Sequence, residues 1–117
     1  MENEQVSAAK AGSRKDISVI TLRGFIDLTT AEEVEQLLAS LIKAKRYNII
    51  VDLSHSDYIS SSIWGIFLDK IKKIREFNGD LKLANMKPDV FEVYKVLELF
   101  RVMSSYDSIP EALKAFG

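Results

Sequence analysis

Three consecutive hydroxyls, Ser60-Ser61-Ser62, are the most distinctive chemical feature of this chain. They follow an apolar run and a short polar stretch, and an amphipathic segment begins with them. A hydroxyl at such a point can cap a helix by accepting a backbone N–H, worth about 0.5–2 kcal/mol against alanine. It can also accept a phosphate, which would lie against the positive end of the helix and add about −1.5 to −2 charges. On the residues alone, capping is the simpler reading, because serines are common at helix starts.

The remaining inventory gives little support for catalysis. His55 is the only histidine and there are no cysteines. A lone histidine in a polar stretch, without metal-ligand spacing, reads as a solvated residue. Asp52, Asp57 and Asp69 are spread along the chain. The glycines fall in no phosphate-loop or dinucleotide pattern, and the serines lack the context of a hydrolase nucleophile. Lys70, Lys72, Lys73 and Arg75 are interrupted by Asp69 and Glu76 and lack aromatic neighbours. They read as a solvated helix face. The formal net charge of −1 argues against a nucleic-acid binder and against attachment to acidic membranes. The expectation is no enzyme, no metal and no cofactor.

The elements that must position the serines follow from hydropathy. The chain has 117 residues, 47% hydrophobic and 28% charged, which suits one globular domain. Residues 1–4 read as a flexible N-terminus and residues 5–117 as the domain. Residues 5–11 suggest a weak edge strand, 12–16 a turn, and 17–22 a strand ended by Gly24. A helix is predicted over 30–44, its stripe made by Val34, Leu37, Leu38, Leu41 and Ile42, with Thr29 or Thr30 pairing with Glu32 or Glu33 in a capping box. Residues 48–53 look like a central buried strand, followed by a polar loop at 54–57. The second helix runs from Ser61 or Ser62 to residue 77, with Ile63, Phe67, Ile71 and Ile74 inward. Asn78-Gly79 stops it, glycine taking the left-handed conformation. A strand at 80–84 follows, then a helix opened by Pro88 with Val90, Val93, Tyr94 and Leu97 on its apolar face. A short strand lies within 100–106, and a last helix, opened by Ser108, reaches Phe116. Tyr58, Phe91, Tyr94 and Phe100 read as core. Trp64 fits equally an interface anchor or a core residue.

Strands alternating with helices imply an α/β domain with a mixed, mostly parallel sheet of about four to five strands and about four helices. The first two strands, joined by a short turn, should be antiparallel. The N-terminal residues lack a signal-peptide core and no run is long enough to span a membrane, so the chain is expected in the cytoplasm, without membrane contact.

Several segments in order sharpen this reading: Gly24-Phe25-Ile26-Asp27, Thr30-Ala31, Ile49-Ile50-Val51-Asp52-Leu53-Ser54, Tyr58-Ile59-Ser60-Ser61-Ser62, Gly79-Asp80-Leu81-Lys82-Leu83-Ala84-Asn85 and Glu111-Ala112-Leu113. Together they resemble the landmarks of the STAS family, in particular its bacterial anti-sigma factor antagonists. The resemblance implies a single STAS-like domain that binds an anti-sigma factor, itself a serine kinase, and so regulates sigma-factor-dependent transcription. Phosphorylation of a serine at the start of the second helix abolishes binding, and a serine phosphatase restores it. Laid on this chain, the phosphoacceptor is Ser61, with Ser62 the alternative. The partner-binding residues are Asp27, Ser60, Ser61, Ser62, Ile63 and Trp64. The family motif has an aspartate where this chain has Ser60 and a glycine where it has Ile63. These departures leave room for a second reading, a non-phosphorylated scaffold module of a transporter or signalling assembly. A monomer is expected in either case.

Overall fold

The computed structural model describes residues 5–11 and 14–117. The expected flexible segment 1–4 and the Gly12-Ser13 part of the expected turn lie outside the described residues. Among the described residues five strands form one sheet: β1 (Val6–Ala11), β2 (Arg14–Ile26), β3 (Asn48–Ile59), β4 (Asp80–Ala84) and β5 (Ser105–Tyr106). Their spatial order is the sequence order. β1 pairs antiparallel with β2, and every later pairing is parallel. Four α-helices connect or follow the strands: α1 (Ala31–Lys43), α2 (Ser61–Glu76), α3 (Pro88–Val96) and α4 (Ile109–Lys114). This is the α/β arrangement expected from the alternation of periods.

Period-two alternation divides the sheet into two faces. Ile20, Leu22, Ile49, Val51, Leu53, Leu81 and Leu83 face one way and pack against Val34, Leu38, Phe67, Ile71, Ile74, Val90 and Tyr94 of α1, α2 and α3. Ile17, Ile50 and Ala84 face the other way and meet Ala112, with Ile109, Leu113 and Phe116 of the α4 region beside them. β3 is apolar on both faces because helices cover both. Phe67, fully buried at the centre of α2, is among the largest side chains of the main core.

Several local expectations change. β2 does not end at Gly24. It runs through that residue, whose φ is +83°, with register shifts on either side. Gly24 is thus at an irregularity of the strand where positive φ is needed. Residues 54–57 are strand, not loop. β4 accompanies β3 only as far as Ala84 opposite Asp52, while β2 continues to Ile26 opposite Ile59. The polar residues of this extension are therefore on a strand with a single neighbour. Ser56 is buried nonetheless, its hydroxyl donating to the Leu22 carbonyl at 2.7 Å.

The cap of α1 also differs. Thr30 makes no side-chain cap bond to that helix. The reciprocal box instead closes a 3-10 turn over Leu28–Thr30, capped by Asp27. At the end of α2 the left-handed residue is Asn78, with φ 65°, and not Gly79. Gly79 is required for closeness: a Cβ there would lie 2.0 Å from the Tyr47 carbonyl oxygen.

Candidate functional site: the serine ridge

β2 and β3 end side by side, with Ile26 opposite Ile59 as their last rung. The chain then leaves β2 through Asp27 and leaves β3 through Ser60. The Ser60 N–H donates to the Ile26 carbonyl at 2.9 Å, so the two exits are fastened to each other. Ser60 is the extended N-cap residue of α2, and Ser61 and Ser62 form the start of that helix. Topology thus brings Asp27 and the serine cluster, distant in sequence, to one ridge beyond the C-terminal ends of parallel strands.

Ser61 and Ser62 are exposed and Ser60 is half-buried. The Ser60 hydroxyl does not cap the helix. It pairs with the Ser62 hydroxyl at 2.8 Å instead. The capping role read from sequence is therefore filled by no serine here, and the first N–H groups of α2 keep their capacity for an acceptor. The Asp27 carboxylate accepts from the Thr29 hydroxyl at 2.6 Å and from the Thr29 N–H at 3.0 Å. Those two bonds hold its pKa below the ordinary 3.8, the hydroxyl contributing most. The ridge therefore carries a fixed negative charge at neutral pH, next to hydroxyls.

Ile63 and Trp64, expected to touch a partner, are 0% and 2% exposed. Helical periodicity turns both toward the core, on the side of α2 that also carries Phe67. Neither offers a side chain to the ridge surface. The bulk of Ile63, where the related motif has glycine, is accordingly absorbed inside the protein. Trp64 packs edge-on against Phe67 and lies near Tyr94. Its Nε1–H is buried without a hydrogen-bond partner among the described residues.

Three apolar side chains that sequence reading did not assign to the site surround it. Phe25 is 64% exposed, Leu28 76% and Tyr58 46%. Tyr58 and Phe25 are adjacent, with ring centroids 6.0 Å apart. Tyr58 was expected in the core. It faces solvent because β3 continues as a strand and Ile59 takes the inward position. The same alternation, applied to an extended β2 with Ile26 inward, would have located Phe25. Phe91 and Phe100, also expected in the core, are 38% and 50% exposed, whereas Tyr94 is buried as expected and its hydroxyl donates to the Met103 carbonyl. α3 buries Val90 and Tyr94 but leaves Val93 and Leu97 outside.

The other candidate groups do not join the ridge chemistry. His55 is exposed on β3. Asp52 accepts from the Ser54 N–H and from the Asn85 side chain, Asp57 pairs with Lys87 at 2.7 Å, and Asp69 lies 3.9 Å from Lys70. Lys70, expected in a solvated face, is 7% exposed and forms an ion pair with Glu35 that joins α1 to α2. Among the described residues no three histidine or acidic side chains converge as a metal set, and no helix is long and apolar enough to cross a membrane.

Comparison with known proteins agrees with this geometry. BtrV of Bordetella bronchiseptica, assigned as an anti-sigma factor antagonist, is 31% identical over 99 residues, which cover 82% of this chain and 85% of BtrV. A Thermotoga maritima protein with the same assignment has the same fold, with a TM-score of 0.85 and 19% identity over 94% of this chain and 92% of that one. The phosphorylated form of the Bacillus cell fate determinant SpoIIAA superposes with a TM-score of 0.73 and 19% identity over 96% of this chain and 99% of its own. The family model described as the STAS domain matches residues 8–112; with the five-stranded sheet and the serine ridge at the start of α2, the chain belongs to the STAS domain family.

Proposed function

We propose that this protein is a cytoplasmic anti-sigma factor antagonist and not an enzyme. It binds an anti-sigma factor that is also a serine kinase, frees a sigma factor for transcription, and is turned off by phosphorylation of Ser61. A serine phosphatase returns it to the binding form. The observation that carries this reading is the exposure of Ser61 on the first turn of α2, on the same ridge as the ionised Asp27 and beside the uncovered Phe25, Leu28 and Tyr58. A protein partner can cover such a mixture of apolar side chains and hydroxyls. Among the described residues no histidine and no metal set joins the serines, and the Asp27 carboxylate is engaged by Thr29, so binding accounts for them better than catalysis does.

The switch follows from electrostatics. A phosphate on Ser61 would place about −1.5 to −2 charges on a surface that already carries Asp27. The helix N-terminus would stabilise it in the free protein, and the interface would have to desolvate it. Each ~1.4 kcal/mol of that penalty weakens binding tenfold, so a few kcal/mol suffice to release the partner.

The test combines two measurements. Incubation with an anti-sigma factor serine kinase from the same organism should add one phosphate by intact mass, and Ser61→Ala should abolish the gain. In calorimetric titration with the same protein, Ser61→Ala should bind like the wild type and Ser61→Asp at least tenfold more weakly. Equal binding by both variants removes the switch. The alternative, a scaffold module of a transporter or signalling assembly that is never phosphorylated, is favoured by one feature, Ser60 in place of the motif's aspartate. Unmodified mass with intact partner binding would establish it.

A further inference from the structure

Beside the serine ridge lies a groove of about 320 Å³ between the ends of β2 and β3 and the side of α3 that carries Val90 and Val93. Phe25 and Tyr58 form one wall and Val90 and Val93 the other, with Trp64 at its inner end. Asp57 and Asp89 stand at the rim. Lys87 pairs with Asp57; Asp89 makes no ion pair among the described residues. Trp64 is 98% buried, and its Nε1–H has no acceptor among the described residues. Buried indole N–H groups usually find a partner, and Trp64 is one of the residues that line this groove. The apolar surface also continues past the groove. Val93 is 39% exposed, Val96 71% and Leu97 51%, so the apolar stripe of α3 extends beyond the part that Val90 and Tyr94 bury. A surface helix ordinarily buries its apolar stripe.

We propose that this groove is a peptide-binding subsite that takes one large aliphatic or aromatic side chain of a partner protein, next to a lysine or arginine. The apolar side chain lies between Tyr58 and Val93. A carbonyl oxygen of the same segment accepts from Trp64 Nε1–H once the rim side chains part, and the basic side chain pairs with Asp89. A peptide is favoured over a lipid surface because the rim is acidic and would repel anionic headgroups. It is favoured over a second copy of this chain because the acidic rim would then have to face its own kind across a two-fold contact. The subsite adjoins the ridge of the proposed anti-sigma interface, but its chemistry does not depend on phosphorylation of Ser61.

The experiment uses the wild-type chain and random heptapeptides displayed on phage, counter-selected on Val93→Asp. Val93 is partly exposed, so the variant should fold, and its thermal transition checks this. Selection should enrich an apolar residue beside lysine or arginine. The synthetic peptide should then shift the single indole N–H resonance of the protein, which belongs to Trp64, in a saturable way. Asp89→Lys should weaken that binding at least tenfold, and Ser61→Asp should leave it within twofold. No enrichment over the decoy, an acidic consensus, an unmoved indole resonance, or dimerisation of the wild type that Val93→Asp abolishes would each overturn the proposal. Because no anti-sigma factor enters the experiment, its failure would leave the serine switch standing, and failure of the switch would leave the subsite standing.

Discussion

Ser60 and Ile26 are joined by a backbone hydrogen bond of 2.9 Å across the ends of two parallel strands. That single bond couples the loop carrying Asp27 to the start of α2, so the charge and the hydroxyls cannot drift apart without breaking it. The Asp27 loop is held in turn by Thr29, which donates twice to the carboxylate.

The first prediction concerns that carboxylate. Its folded-state pKa lies below 3.8, first because of the Thr29 hydroxyl and then because of the Thr29 N–H. A depressed carboxylate pKa contributes order to the loop above the ordinary value, and the contribution disappears as pH falls through the folded value. Followed by NMR, the Thr29 amide proton should titrate with a midpoint under 3.8, and Thr29→Val should move the midpoint upward. A wild-type midpoint at or above the ordinary value would contradict the geometry.

The serines at two helix starts should respond differently to removal. Ser108 accepts from the Glu111 N–H at 3.2 Å and caps α4, whereas Ser60 makes no cap bond to α2. Ser108→Ala should therefore cost about 1 kcal/mol. Ser60→Ala should stay within about 0.5 kcal/mol, as for an ordinary surface change. Urea unfolding of the two variants gives the comparison directly, and a larger loss for Ser60→Ala would mean that its hydroxyl caps the helix after all.

Much of the architecture was legible because both periodicities are strong: Ile49, Ile50, Val51 and Leu53 mark a strand buried on both faces, and Ile63, Phe67, Ile71 and Ile74 mark the inward stripe of α2. The site was legible only in part. Ser61 and Asp27 fall on one ridge because β2 and β3 extend beyond their apolar segments, and those extensions carry Arg23, Ser54 and His55, which look like loop. Missing the extensions hid Phe25 and Tyr58, whose outward direction depends on strand alternation continuing past residues 22 and 53. The direction of Trp64 was not readable either, since its position beside exposed serines suits both sides of a helix until the packing of Phe67 and Tyr94 fixes it.

Gly79 supplies a third prediction. A Cβ there would stand 2.0 Å from the Tyr47 carbonyl oxygen, a backbone atom that cannot yield cheaply. Gly79→Ala should destabilise the protein by about 3 kcal/mol, the upper part of the range for overpacking. Asn78→Gly should cost nothing or stabilise slightly, because Asn78 already occupies the left-handed region at φ 65° and glycine does so without a Cβ. Denaturation midpoints in the reverse order would place the constraint on the dihedral and not on the close approach.

The last prediction separates binding from folding with two hydrophobic residues. Phe67 is 0% exposed and Leu28 is 76% exposed. Phe67→Ala removes a ring from the centre of the main core and should cost about 3–5 kcal/mol. Leu28→Ser removes an apolar group that the isolated chain leaves in water, so unfolding free energy should change by less than about 0.5 kcal/mol. A partner covering the ridge would bury Leu28, and burial of a leucine side chain is worth about 1.5–3 kcal/mol. Leu28→Ser should therefore weaken capture of the proposed anti-sigma partner by at least tenfold at unchanged stability. Unaltered capture would move the docking surface away from the 3-10 turn, and a large loss of stability would mean that Leu28 is covered within the chain itself.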